Sequence, residues 1–317
     1  MATTPANWGN INMLRDTDDD AGYYAVVCSV SPNWKGAILY VSDDGGANYN
    51  PVTTLDKNAV AGGTSTALGD FPGGNVPDEF NTLVVTLYRG ELSSVDYPSF
   101  INGLQAALVG NEIIYFRNAV LNMDGSYTLS GFLRGRRGTE YAIGTHQISE
   151  RFVLLSTENI ARIAGVTAFI GVERLYKCPS VGALLTDATA YTYTNNAVGL
   201  KPYAPVLLGG HIAPDGSAVL YWTRRTRISG EWRSNVDVPI SETVESYVIE
   251  ICDGTFTTIK RTVNSSVSTI TYSQADQITD FGSPQSFVYF RVYQISERVG
   301  RGYASQGTAP TSSTAFI

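Results

Sequence analysis

The sequence predicts an all-β protein of two domains, an N-terminal multi-stranded β domain followed by a β-sandwich. Three observations carry this. First, 31 Gly, 13 Pro and 19 Tyr against 3 Met is the composition of many short strands joined by tight turns. Second, no apolar pattern of helical period is sustained, whereas runs such as Tyr247–Ile251 and Phe287–Tyr293 alternate faces with period two. Third, 317 residues suffice for two hydrophobic cores, and Pro202 and Pro205 mark a short linker between them.

Taken in order, residues 1–20 are polar, end in Arg15-Asp16-Thr17-Asp18-Asp19-Asp20, and are expected to form an N-terminal arm. The β-rich domain covers residues 21–200. Its strands begin at Gly22–Cys28 and Ala37–Val41, the second closed by an Asp44-Gly45-Gly46 turn. Residues 57–78 are rich in glycine and lack apolar periodicity, so they are expected to be a long exposed loop. Thr82–Leu87 and Ile113–Arg117 read as strands, with one helical turn within 98–111. Val120–Tyr127 is a hairpin with Asp124-Gly125 at its turn. Further strands are expected at Arg151–Leu155, Thr167–Leu175 and Ala190–Thr194. Beyond the linker, residues 201–304 carry strand-like runs at Ser217–Thr223, Glu245–Ile251, Phe256–Thr262, Ser268–Tyr272 and Phe287–Ile295. That spacing, with Trp222 placed as a core tryptophan of the second strand, predicts a fibronectin type III-like sandwich. The Ser/Thr-rich residues 305–317 are expected to be a flexible tail.

Composition narrows the function. Charged residues are 16% of the chain, below the roughly 25% of ordinary soluble domains, which suits a part that buries surface in an assembly. Residues 1–200 hold 12 basic and 19 acidic residues and so carry the whole net charge of −7, while residues 201–317 balance at ten and ten. An acidic chain repels phosphate backbones, so no nucleic-acid partner is expected. No window approaches the roughly 18 apolar residues of a membrane span, and the first residues have neither the basic nor the apolar region of a signal peptide. Cys28, Cys178 and Cys252 are isolated and fit small buried apolar residues of a chain made in a reducing compartment.

The most distinctive stretch follows the hairpin. Arg134, Gly135, Arg136, Arg137, Gly138 and Glu140 interleave charge with glycine directly after a strand. Glycine opens backbone angles closed to other residues, and each guanidinium offers a planar fork to carboxylates or carbonyls. The stretch is expected to be a rigid ion-paired corner that braces the sheet, with Arg136→Ala lowering the melting temperature; in the alternative, a direct receptor site, the fold stays intact and adsorption drops.

Residues Phe132–Leu155 around this corner, Trp34-Lys35-Gly36-Ala37, Tyr40–Gly46, Trp222–Arg227, Asp237-Val238-Pro239 and Glu242 occur in an order that resembles a known family. It is the C-terminal part of the large tail-tip protein of phages and gene transfer agents. Those proteins carry a TIM-barrel-like domain upstream of β-rich hub domains. The resemblance implies a hub-like role for residues 21–200, in a structural virion protein of a tail tip, baseplate hub or tail fibre. It further implies a place in the virion tail after synthesis in the host cytoplasm, other tail proteins as partners, and a homo-oligomer, expected as a trimer. A host surface glycan or protein receptor would be the target of attachment. A (β/α)8 barrel needs roughly 250 residues of alternating strands and helices, for which this chain has no room, so no activity of that domain is implied.

Two other classes compete with this reading. A stand-alone carbohydrate-binding module would use turn aromatics, and Trp34, Tyr49, Tyr203 and Trp232 are the candidate receptor or subunit contacts. An envelope-degrading enzyme would need a nucleophile or acid/base pair. The chain has only His146 and His211, and no Gly-x-Ser-x-Gly, phosphate loop or His-Glu-x-x-His, so no enzyme activity and no cofactor are expected. His146 is expected to hydrogen-bond within the corner. Asp16, Asp18 and Asp20 match the first positions of a calcium loop, but Ala21 and Val27 stand where its glycine and bidentate glutamate belong. A solvated acidic segment, free to meet a basic surface on a neighbour, is expected there. Arg224, Arg225, Arg227 and Arg233 with Asp237, Glu242 and Glu245 are expected to pair across adjacent strands as a charge ladder.

Overall fold

The structure is a computed structural model and describes residues 6–156, 158–230 and 237–310, with side chains from Asn10 onward. Its contacts divide the chain into two compact units, Met1–Gly199 and Leu200–Ile317. No helix among the described residues is long and apolar enough to cross a membrane.

The first unit opens with β1 (Ala6–Gly9), β2 (Tyr23–Val27), β3 (Ala37–Ser42), β4 (Asn50–Leu55), β5 (Ala61–Thr64) and β6 (Asp78–Arg89). A short helix, α1 (Tyr97–Ile101), is capped by the Asp96 carboxylate, which accepts from Ser99 N at 2.8 Å. After it come β7 (Ala106–Val109), β8 (Glu112–Leu121), β9 (Tyr127–Arg136) and β10 (Arg151–Leu154). The unit ends with β11 (Ala161–Ile163), β12 (Glu173–Lys177) and β13 (Tyr191–Thr194). Six strands close into a barrel in the order β10-β5-β6-β9-β8-β7, beside two sheets ordered β1-β2-β11 and β13-β12-β3-β4.

Closure rests on β10, which pairs Phe152 with Gly62 on one side and with Val109 on the other. The interior is filled by Leu83, Val85, Ile114, Phe116, Leu129, Phe132 and Phe152, all buried, so the barrel is a packed core. Leu129 and Phe132 are both fully buried although strict alternation would put them on opposite faces. Gly131 between them adopts φ 68°, and that left-handed residue turns the strand so that both side chains point inward.

Two expectations need correction here. Residues 57–78 are not a long exposed loop. They contribute β5 to the barrel and bury Ala59, Ala61, Leu68 and Phe71. The glycines that masked the strand are what let it fit, since a Cβ on Gly62 would lie 2.1 Å from the Thr86 carbonyl oxygen. Nor are residues 6–20 an arm; residues 1–5 lie outside the described ones. β1 pairs with β2, and Ile11, Met13 and, within the acidic segment, Asp18 are buried. Asp18 accepts from the Tyr24 hydroxyl at 2.5 Å, and Asp20 is ion-paired to Arg162, so the basic surface it meets is in its own unit. Among the described residues no group of three or more His, Cys, Asp or Glu is placed to hold a metal.

The second unit comprises β14 (Val206–Ile212), β15 (Ala218–Thr223), β16 (Tyr247–Cys252), β17 (Ile259–Ser265) and β18 (Thr269–Tyr272). It continues through α2 (Gln274–Phe281), β19 (Val288–Ser296) and β20 (Gly300–Ala309). A sheet ordered β14-β15-β18 and another ordered β17-β16-β19-β20 enclose Trp222, Tyr247, Ile249, Tyr272, Phe290 and Val292. That three-plus-four strand order is a fibronectin type III-like sandwich. β19 alternates buried and half-buried residues without a break, as its sequence requires.

Three details differ from expectation. Residues 305–309 are not a flexible tail but the end of β20, paired with β19; residues 311–317 lie outside the described ones. Residues 167–169 form a 3-10 turn, and the strand expected from there begins only at Glu173. The charge ladder is not on strands, because β15 stops at Thr223 and the arginines fall in the connection to β16. There Arg227 is buried and donates to Glu242 at 2.9 Å, Arg224 donates to Asp237 at 2.6 Å, and Arg225 lies over the Tyr203 ring. Arg233 lies outside the described residues.

Candidate functional site: a buried charge cluster at one rim of the barrel

The strand registers put the start of β6, the start of β8, the end of β9 and the start of β10 at one rim of the barrel. Each delivers a polar group to that rim. Arg134 of β9 has a fully buried side chain. Its Nε and Nη2 donate to the two oxygens of Glu112, each at 2.9 Å, in a bidentate fork. Its Nη1 donates to Asp78 at 3.1 Å and to the Gly69 carbonyl at 2.9 Å. Glu112 and Asp78, the first residues of β8 and β6, are also fully buried.

His146 completes the cluster. Its Nε2 lies 2.7 Å from Glu112 Oε2 and its Nδ1 lies 2.8 Å from Glu150 Oε2. Glu150, just before β10, is the partly exposed member. Burial pushes the imidazole pKa down, but the bonds to Glu112 and Glu150 outweigh it, so the net shift is upward. Burial likewise pushes Glu112 up, and hydrogen bonds from His146 and Arg134 reverse it, holding the carboxyl below its ordinary value. Charge explains the coupling: among the four buried groups, the sum is zero only when His146 is protonated. A doubly protonated ring also satisfies both carboxylates as a two-ended donor.

The corner itself is shaped by its backbone. Gly135, Arg137 and Gly138 have φ of 59°, 57° and 81°. Gly135 N donates to Glu112 at 2.6 Å, and a Cβ there would meet Glu140 Cα at 2.9 Å. Thr139 Oγ1 donates to the Arg136 carbonyl at 2.7 Å and accepts from Ile113 N at 2.9 Å, tying the turn to β8.

The three arginines therefore differ. Arg134 alone is buried in the cluster. Arg136 is half-buried, donates to Asn75 at 2.6 Å and lies over the Tyr115 ring, with a buried Nε that lacks a hydrogen-bond partner. Arg137 is 3.8 Å from Asp16, and its carbonyl accepts from Asn12, linking the corner to the N-terminal segment. Glu140 is exposed beside Gly135. The partners missed in the sequence are Glu112, Asp78 and Glu150, which lie too far along the chain to be read as mates of Arg134.

The aromatic candidates do not form one site. Trp34 packs against the core of the β13-β12-β3-β4 sheet. Tyr49 is half-buried with the Lys177 ammonium 4.9 Å from its ring centroid, and Tyr203 holds Arg225 in the second unit. Trp232 lies outside the described residues. A shallow pocket of about 210 Å³ is lined by Asp43, Phe169, Glu173 and Arg174. Its arginine is engaged internally, 4.2 Å above the Phe169 ring and 2.5 Å from Asp43.

Comparison with known proteins bears on the barrel. A family model described as Rcc01698-like, C-terminal, matches residues 59–153, a gene-transfer-agent-like family. That span runs from the residues before β5 into β10, so it coincides with the barrel. No curated protein matches. Among solved structures, a two-domain fibronectin type III segment of chicken tenascin shares 11% identity over 78% of this chain and 99% of its own, with a TM-score of 0.26. A cytokine receptor complex shares 11% over 74% and 94%, with a TM-score of 0.26. The first three fibronectin domains of chicken CNTN1 share 8% over 98% of each chain, with a TM-score of 0.25. Scores that low carry no weight.

Proposed function

We propose that this chain is a structural virion protein of a phage-like tail tip, baseplate hub or tail fibre, contributing to assembly and host attachment. The family match over residues 59–153 supports this most directly, because it falls on one complete structural element, the closed barrel. The order of the motifs outside that span, Trp34–Ala37 and Trp222–Arg227 among them, is what such a protein would carry. The rim cluster supports a non-enzymatic role: Arg134, Glu112, Asp78 and His146 engage one another and neighbouring groups of the protein. A catalytic group must reach a substrate proton, whereas these brace a scaffold. In this reading the chain assembles with other tail proteins as a homo-oligomer, a trimer around the tail axis, and meets a glycan or protein receptor on the host.

The test is location. Particles from a producing strain are labelled with antibody against this chain and viewed by electron microscopy, beside particles from a strain lacking the gene. Label at the tail tip, with tipless or non-adsorbing particles in the deletion strain, is the expected result. Unlabelled particles whose tails and adsorption survive the deletion overturn the proposal.

A further inference from the structure

We propose that residues 137–150 are a cap over one end of the barrel, latched there by His146, and that the cap lifts from a closed barrel when His146 gives up its proton. Nothing in this depends on the tail assignment. Topology puts the segment in place. In the closed order β10-β5-β6-β9-β8-β7, β9 and β10 lie three strands apart in either direction, so the chain that joins them has to cross the mouth of the barrel. That chain is residues 137–150. Its start is tied to β8 through Thr139, which accepts from Ile113 N at 2.9 Å. Its finish is tied to β5, where Ser149 N donates to the Thr64 carbonyl at 2.8 Å and Thr64 N to the Glu150 carbonyl at 2.9 Å.

Between those ties the cap is thinly buried. Of residues 140–149 only Ala142 and His146 are buried, and seven are exposed. Its turns close on themselves, with Ala142 N donating to the Thr139 carbonyl and Ile143 N to that of Glu140. His146 is the titratable side chain that reaches beneath it, 2.7 Å from Glu112 and 2.8 Å from Glu150. Both ends carry left-handed backbone, Gly138 at φ 81° and Ser149 at φ 65°, and a hinge needs only a few positions that absorb large dihedral changes.

The charges around His146 set the direction. Glu112 of β8 and Glu150 before β10 touch its ring, while Arg134 of β9 and Asp78 of β6 lie behind Glu112. β5 and β7 contain no charged residue. Asp70 lies beside the cap, 3.0 Å from where a Cβ on Gly144 would sit. Glu140 and Tyr141 are exposed on the cap, and Arg151 of β10 is turned to the Gly110 carbonyl at 2.8 Å. A protonated ring donates to both carboxylates, whereas a neutral one keeps a single N–H and turns a lone pair on the other. Arg134, Glu112, Asp78 and a neutral His146 are then left with one uncompensated negative charge in a buried site. Lifting the cap moves His146 and Glu150 into water and exposes a few turns. Opening the barrel would give up its whole core, so the local route is the cheaper one.

The experiment is hydrogen exchange of the full chain followed by mass spectrometry, from about pH 6 to about pH 9, with each rate corrected for the pH dependence of unprotected amides. Peptides within residues 138–149 should exchange faster than those of β8 and β9 at every pH. Their corrected rate should climb by up to about tenfold per pH unit above 6.5, the ordinary histidine value, and then level off. His146→Gln, which keeps a polar side chain without a titrating ring, should exchange at one corrected rate throughout. Glu150→Gln removes one of the two carboxylates on the ring and should move the levelling to lower pH. Glu150 is partly exposed, so its variant decides the question even if His146→Gln fails to fold. Cap peptides that exchange only together with β8 and β9, or a corrected wild-type rate that ignores pH, overturn the proposal. So does a pH dependence that survives His146→Gln, or a levelling that Glu150→Gln leaves in place.

Discussion

Arg134 shows why three similar arginines are not equivalent. It is the one whose removal leaves carboxylates buried without a cation, and breaking a buried pair in this way costs about 3–5 kcal/mol. Arg134→Ala should therefore lose about that much in urea unfolding, and Arg134→Lys should recover only part of it because an ammonium cannot form the fork. Arg136→Ala, by contrast, removes a half-exposed hydrogen bond and a ring contact, and should cost about 1 kcal/mol or less. Equal losses for both variants would contradict the placement of the brace at Arg134. The cluster also sets a pH window. Glu112 titrates below its ordinary 4.5 when folded, so its contribution is complete above 4.5 and is lost as pH falls through the folded value. His146 titrates above its ordinary 6.5 when folded, so its contribution is complete below 6.5 and is lost as pH rises through the folded value. Stability should be greatest between pH 4.5 and 6.5 and decline on both sides. His146→Gln should flatten the alkaline decline, as read by denaturant midpoints across pH.

The same distinction between local pattern and distant partner governs the elements. β3, β15 and β19 were legible because a buried face every second residue is a local property, and β2 and β8 because a short continuous apolar run is one too. The Val120–Tyr127 hairpin was legible because Asp124-Gly125 demands its turn, with Gly125 at φ 83°. β5 was not, since Gly62 and Gly63 have no side chains to alternate and earn their place by close approach to β6. Barrel closure was equally hidden, being decided by β10 meeting β5 and β7 from far along the chain. α2 had a readable signal in Ser273, whose hydroxyl accepts from Asp276 N at 3.1 Å, and in Gly282 at φ 81°. Two glycines of positive φ separate strain from crowding. Nothing lies within 4 Å of a Cβ on Gly125, so Gly125→Ala should cost only the backbone term, about 1 kcal/mol. Gly135→Ala adds the clash with Glu140 Cα and disturbs the amide bonded to Glu112, and should cost about 2–3 kcal/mol. Matching melting shifts for the two variants would mean that the corner yields without strain.

At the scale of the whole molecule, two separate cores imply two separable foldings. The first unit has the barrel core and further clusters beneath its two smaller sheets. The second has one cluster spanning both sheets of the sandwich. With about 118 residues and aromatic side chains meeting across its centre, the second unit is within the size range of domains that fold alone. Residues 200–317 made as a fragment should therefore give a β-type circular dichroism spectrum and one cooperative melt. Its midpoint should fall within about 8 °C of the matching transition in the full chain, the shift that roughly 1 kcal/mol produces in a domain of this size. The full chain itself should show two calorimetric transitions, and pH assigns them. His146 and Glu112 belong to the first unit, so raising pH from 6.5 should lower the first unit's transition and leave the fragment's far less affected. A fragment without a cooperative melt would mean that the sandwich needs the first unit to fold. A single transition in the full chain, moving as a whole with pH, would mean that the buried cluster at the barrel rim stabilises both units as one.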